Sequence, residues 1–348
     1  MKALVKTQKG VGFIEVRDMP EPVPGEGEVK IRIEACGICG SDIHVRHDTF
    51  PYWPPVILGH EFTGTVIELG PNCKKARKGD RIVAEPHTKA CGVCFLCRTG
   101  NIQICPDKRS PGWGIHGGMA DYICYPEKLL HKIPDSMTWD QAAVVEPTAN
   151  AVTDLIERTA LTAGDLVVVQ GPGPIGLLVA MVARAAGARE VVILGTPGDE
   201  ALRLRTAREL GFKQVINIGQ TNAVQAVMDL TNGLGADVVA ECSGAPRAIP
   251  GVVDLVRKRG RVCAIGLTGN RTVELPWDKF ATRAIDVQFC MSTSYTSWDR
   301  TISLISSGAV RAEKVITHRV GIDQWESAFD AVEKLEALKA LIIPAGRK

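Results

Sequence analysis

At 348 residues the chain is longer than one ordinary hydrophobic core organises, so two domains are expected. Its 45% hydrophobic and 23% charged content suits a globular protein, and a net charge of +2 with no run of like charges leaves no electrostatic footprint for nucleic acid. No apolar stretch reaches the roughly 18 residues that span a bilayer, and Met1–Lys6 lacks the apolar core of a secretory signal, so no membrane partner and a cytoplasmic location are expected.

The first 150 or so residues read as short strands broken by Gly and Pro. Val29 to Ala35 alternates with period two, the mark of a half-buried strand, and Thr63 to Leu69 and Arg81 to Glu85 give similar signals. Pro20 to Gly27 and Pro51 to Pro55 punctuate them, and the region reads as an irregular, mainly β domain. It carries most of the reactive side chains. Eleven cysteines cannot all pair. Four of them fit Cys91-x2-Cys94-x2-Cys97-x7-Cys105, a spacing that closes a tetrahedral Cys₄ shell around a structural zinc ion. A second, scattered set comprises Cys39, His60, Glu61 and Glu146. Cys, His and carboxylate from separate segments suit a catalytic zinc, which keeps one position open. Read singly, Cys39 also suits a core thiol, His60 a hydrogen-bonded turn, and either glutamate a solvated charge.

From about residue 165 the texture becomes β-α alternation. Leu166 to Gln170, Val191 to Leu194, Val215 to Ile218, Ala236 to Glu241 and Arg261 to Ile265 read as strands separated by helical patterns, which implies a doubly wound parallel sheet. Gly171-Pro172-Gly173-Pro174-Ile175-Gly176 follows the first of these strands and opens a helix, the context a dinucleotide-binding G-x-G-x-x-G turn requires. The second strand ends in Gly195-Thr196, with no carboxylate for a ribose 2′-hydroxyl, and Arg203 follows on the next helix. NAD(P) is therefore the expected cofactor, with a lean toward NADP, although Asp199 is placed to curl back toward the ribose. The last 55 residues or so read as helix-like with a final strand at Ala340 to Ile343.

Taken together the motifs resemble the zinc-containing medium-chain dehydrogenase/reductase family, in particular its sorbitol and threonine dehydrogenase branch. Gly59-His60-Glu61-Phe62-Thr63-Gly64, Gly79-Asp80-Arg81-Ile82-Val83, the cysteine lobe, Gly117 to Tyr122 and Glu146-Pro147 occur in the family's order over essentially the whole chain. The resemblance implies a GroES-like β domain over 1–155, with 292–348 returning to it, and a Rossmann domain over 156–291, the active site lying in the cleft between them. It implies one catalytic and one structural zinc per subunit, the catalytic ion on Cys39 and His60 with Glu61 or Glu146. It also implies a Ser41 and His44 proton relay, and a homotetramer. Ser41 as a helix cap and His44 as a solvent-facing residue are the plainer alternatives.

The activity implied is hydride transfer between a secondary alcohol and the cofactor, with a polyol favoured and L-threonine second. Around the zinc, Glu61, Glu146 and His47 offer hydrogen bonds to a polyol, Arg46 is the nearest cation in sequence for a carboxylate, and Trp53, Trp113 and His116 are candidate pocket walls. Where sorbitol dehydrogenases carry an aromatic-Arg-aromatic segment, this chain has Ser292-Thr293-Ser294-Tyr295, which argues against sorbitol itself. A zinc hydrolase conflicts with the dinucleotide turn, and a non-enzymatic relative conflicts with the intact Cys39, His60 and Glu146 set.

Overall fold

The computed structural model describes residues 1–344 and 346. The chain divides into two units, one formed by Met1–Glu146, Thr293–Ser306 and the chain from Ile316 onward, the other by Pro147–Ser292 and Ser307–Val315. Residues 307–315, read from sequence with the first domain, thus pack with the second. Val310, Ala312 and Val315 are fully buried, and Arg311 donates to the Leu210 carbonyl at 3.2 Å. Among the described residues no helix is long and apolar enough to cross a membrane.

The first unit is built on the strand Glu28–Gly37, whose alternation buries Val29, Ile31 and Ile33. It pairs antiparallel with Glu61–Leu69 in a register that sets Gly37 opposite Glu61. The sheet continues through Arg81–Ala84 to Leu130–Lys132 on one side. On the other side it gains Lys339–Ile343 and then Ile316–Gly321, a strand hidden in the part of the sequence that read as helix. Tyr122–Pro126 also pairs with Glu28–Gly37, and the Phe62 and Tyr125 rings meet edge to face at 5.2 Å within the core. This register brings the end of one strand, just before Cys39, beside the start of the next, just after His60.

The second unit is a parallel sheet of six strands, β1 (Leu166–Gln170), β2 (Glu190–Gly195), β3 (Gln214–Asn217), β4 (Ala236–Glu241), β5 (Val256–Ala264) and β6 (Asp286–Phe289). Their spatial order is 3-2-1-4-5-6 with every pairing parallel, the doubly wound Rossmann arrangement. β1 is apolar on both faces because helices cover both, and Leu166 to Val169 are fully buried. The sequence carries no clear mark of β6, a four-residue edge strand with mostly exposed side chains. The charged helix expected over Glu200 to Leu210 begins as a π-helical turn, Glu200–Leu204, before the α-helix Arg205–Glu209.

The order of the strands reverses between β1 and β4, and the glycine-rich turn stands there, at the C-terminal end of β1. Gly173 caps the helix Pro174–Ala185, and Pro174 takes its first position, where no amide donor is required. The three glycines answer different needs. Gly171 has φ +100° and lies against Ser243, a Cβ on Gly176 would stand 1.9 Å from the Gly171 carbonyl oxygen, and a Cβ on Gly173 would meet nothing within 4 Å. Gly176→Ala should therefore cost about 1–3 kcal/mol of stability through overpacking, read by denaturant unfolding. Gly173→Ala should unfold like the wild type yet bind the dinucleotide more weakly by calorimetry, since the open space before it is where a pyrophosphate must approach.

Candidate zinc and dinucleotide sites

Cys39 stands at the N-cap of the short helix Gly40–Arg46. Its amide donates to Asp42 Oδ2 at 2.9 Å, while Oδ1 of the same carboxylate accepts from the Gly59 amide at 3.3 Å. Asp42, with no solvent exposure, thus ties the Cys39 loop to the segment that carries His60. Burial pushes its carboxyl above the usual range, against the pull of His60. Asp42 stands three residues after the N-cap, the position from which an acid caps a helix, and was not among the residues expected at the site.

The Cys39, His60 and Glu61 ligand atoms lie within 4.8 Å of one another. His60 Nδ1 is buried without a hydrogen-bond partner. Burial works against a charge on His60, but the Cys39 thiol and the charges of Cys39, Glu146 and Asp42 outweigh it and push the imidazole up to about 10. Such surroundings favour a positive charge, and an orphaned ring nitrogen beside a thiol and a carboxylate is the donor set of an open zinc site. The Trp113 ring lies edge-on to His60 at 4.7 Å and packs against Phe50 at 5.3 Å.

The two carboxylates differ. Glu61 is 1% exposed, and both its oxygens accept from Lys339 Nζ at 2.8 Å. That ammonium also donates to the Ile38 carbonyl at 3.0 Å. Burial opposes the charge on Lys339, and Glu61 more than restores it. Glu146 lies outside the 4.8 Å group; it is buried in the first turn of the helix Val145–Val152, and its charge acts on both His60 and Lys339. Nothing local in the sequence marks Lys339 as a partner of Glu61.

The Ser41 hydroxyl is buried without a partner, and His44, one helical turn on, reaches Thr49 Oγ1 through Nδ1 at 3.1 Å on the exposed side. Arg46 is already held by Asp330 at 2.7 Å and Glu333 at 3.1 Å, and His47 also bonds Glu333. Thr293 bonds His87 from a distant segment as well as Trp298, and Ser294 accepts from the Ser297 amide. His116 accepts from the Ile57 amide, and Arg109 covers the half-exposed Trp53 ring at 4.3 Å.

Cys91, Cys94, Cys97 and Cys105 form a second cluster. Their closest sulfur pairs are 3.7, 3.9 and 4.0 Å apart, too far for disulfides and close to the ~3.8 Å edge of a tetrahedron with metal–sulfur bonds of about 2.3 Å. Amides of Cys91, Cys94 and Cys97 each donate to a sulfur at 3.4 Å. The bond from Cys91 helps hold the Cys105 thiol down to about 6.

In the second unit Asp199 turns back on the end of β2, accepting from the Thr196 amide at 2.8 Å and hydroxyl at 2.7 Å, and Arg203 donates to it at 3.0 Å. A Cβ at Gly195 would stand 2.8 Å from both Pro172 Cγ and Leu204 Cδ2.

Residues 25–135 match the alcohol dehydrogenase GroES-like domain family, and residues 174–307 match the zinc-binding dehydrogenase family. The chain belongs to the zinc-binding alcohol dehydrogenases, a family of NAD(P)-dependent oxidoreductases. It is 38% identical to a sorbitol dehydrogenase of Halalkalibacterium halodurans, over 99% of each chain. An L-threonine 3-dehydrogenase of Xanthomonas campestris is 34% identical, over 98% of this chain and 99% of that one. A putative zinc-binding dehydrogenase of Sinorhizobium meliloti, solved bound to NADP, superposes with a TM-score of 0.90 at 30% identity, over 99% of both chains.

The Lys339–Glu61 pair yields a direct test. Lys339→Met leaves a buried carboxylate unpaired and should cost about 3–5 kcal/mol in denaturant unfolding, whereas Lys339→Arg should recover most of the loss.

Proposed function

We propose that the chain oxidises a secondary alcohol, a polyol or related vicinal diol being favoured, with transfer of hydride to NAD(P). The observation that carries the reading is the orphaned His60 nitrogen beside Cys39 and Glu61, in a chain so similar to a sorbitol dehydrogenase. Cys39 and His60 would hold a catalytic zinc, with Glu61 or Glu146 as the carboxylate. Cys91, Cys94, Cys97 and Cys105 would hold a structural one. The zinc supplies Lewis acidity toward a hydroxyl oxygen, and the nicotinamide supplies hydride acceptance.

The remaining work falls to the protein's own side chains. The unpartnered Ser41 hydroxyl accepts the proton of the substrate hydroxyl and passes it toward His44, whose exposed imidazole exchanges it with solvent. Trp113 shields the His60 ring. Lys339 holds the Glu61 carboxylate oriented beside Cys39 and His60, and Glu146 stands as the alternative carboxylate.

L-threonine is the second reading, supported by the Xanthomonas relative. It requires a cation for the substrate carboxylate, and Arg46 is already engaged by two acids. For the cofactor, the reading leans to NADP, since the Asp199 carboxylate is committed to Thr196 and Arg203 instead of standing free for a 2′-hydroxyl. A cytoplasmic homotetramer completes the proposal; the tetramer rests on family analogy, and the free thiols suit a reducing compartment.

Metal analysis of active protein should return two zinc ions per subunit. Cys39→Ser should lose one ion and nearly all activity while staying folded, and Cys97→Ser should lose stability instead. One ion or fewer in fully active enzyme would overturn the two-site reading. In a panel of alcohols, turnover of polyols should exceed that of threonine, and threonine turnover without polyol turnover would reverse the ranking.

The kcat/KM ratio tests the cofactor. NADP should be preferred, and Arg203→Ala should lower kcat/KM for NADP by roughly 10- to 100-fold, the worth of a charge-assisted bond, while touching NAD little. A clear NAD preference in the wild type would reject the lean.

A further inference from the structure

The second unit holds a pair of thiols that neither the zinc sites nor the dinucleotide turn employs. Cys263 on β5 and Cys290, one residue beyond β6, have Sγ atoms 3.8 Å apart. The parallel ladder brings them together. Cys263 stands opposite Gln288, so Cys290, two residues further on, projects from the same face of the sheet, and its amide extends the ladder to the Ala264 carbonyl at 3.2 Å. The Asp154 carbonyl lies 3.4 Å from one sulfur and 3.8 Å from the other.

The two are not equivalent. Cys263 is fully buried, and Cys290 is partly exposed. The hydrogen bond between them pushes the Cys263 thiol up and holds Cys290 below its ordinary value, helped by Arg158, which donates to the neighbouring Phe289 carbonyl at 3.4 Å. Burial pushes the thiol of Cys242 well up, away from the thiolate form. An accessible sulfur beside a cation, with a second thiol in contact behind it, is the arrangement of an attacking and a resolving cysteine.

We propose that Cys290 and Cys263 form a redox site that takes a hydroperoxide, Cys290 being the attacking sulfur and Cys263 the resolving thiol. The Cys290 thiolate attacks the peroxide, the O–O bond breaks, and the leaving oxygen departs as water or alcohol with a proton, giving a sulfenic acid. The Cys263 sulfur then attacks Sγ of Cys290, and the sulfenic hydroxyl leaves as water with the Cys263 proton. Two thiols are oxidised to one disulfide, and the peroxide is reduced. Closing from 3.8 Å to a bond of about 2.05 Å draws the two sulfurs together across the β5–β6 ladder.

The test treats zinc-loaded enzyme with one molar equivalent of hydrogen peroxide, alkylates the remaining thiols and maps peptides without reduction. A Cys263–Cys290 linked peptide that dithiothreitol removes is expected in the wild type. Cys263→Ser should accumulate a sulfenic acid at Cys290 that dimedone traps, and Cys290→Ser should leave Cys263 unoxidised. Oxidation of the Cys91 to Cys105 lobe ahead of Cys290, or Cys290 passing to a sulfinic acid in the wild type with Cys263 still free, would overturn the assignment. These readouts do not depend on the dehydrogenase activity.

Discussion

The ion pair between Lys339 and Glu61 is the interaction on which the first unit turns. Its two members are 278 residues apart in sequence and almost wholly buried. A lone carboxylate at that depth would either take a proton or leave the interior. Beside Cys39, Asp42 and Glu146 it would add to an already negative cluster, as the upward push on His60 records. Lys339 reaches Glu61 only because the strand Lys339–Ile343 lies against Glu28–Gly37, with Leu341 opposite Gly37. The return of the chain to its first unit thus supplies the charge partner of the buried Glu61 as well as extending a sheet.

The same principle, a buried polar group held by partners from distant segments, recurs across this unit. Asp42 joins the loops of Cys39 and Gly59 through backbone amides. Glu85 accepts from His131 at 3.0 Å, and His131 in turn meets Asp299 on the helix Tyr295–Ser306. The neighbouring His87 takes the opposite course: burial drives it down to about 3, which keeps the ring neutral against Thr293. The returning segments supply partners to charges that the first 146 residues bury but cannot satisfy alone.

These couplings explain what was legible in the sequence. The Rossmann unit was read almost strand by strand, because a parallel sheet buried on both faces writes itself as contiguous apolar runs. Only β6 escaped, being an edge strand with mostly exposed side chains. The cysteine lobe was equally plain, since its spacing is local. The open cluster was read through family likeness, because its residues are assembled by strand register and no single segment announces them. Asp42 carries a local capping signal that says nothing of its tie to Gly59, and Lys339, 278 residues from Glu61, has no signal at the range over which sequence patterns are read. The strand Ile316–Gly321 was missed for a related reason: its Ile-Thr-His-Arg-Val-Gly run is exposed or half-exposed along its length and has no continuous apolar face.

The absence of an acid at the end of β2 also takes on a different meaning once the packing is known. From sequence, Gly195 stood for a site open to a 2′-phosphate. In the structure the same glycine is a steric necessity, because Pro172 of the phosphate turn and Leu204 of the following helix both close on the place a side chain would fill. Proline in the glycine motif and the glycine at the strand end are therefore one packing unit. The acidic group is displaced four residues, to Asp199, where it closes the turn through Thr196 and accepts from Arg203. Thr196, Asp199 and Arg203 thus form one hydrogen-bonded network at the end of β2. An acid placed at position 195 would disturb Pro172 and Leu204 before it met a ribose, whereas a change at Arg203 alters the charge at the site without touching that packing.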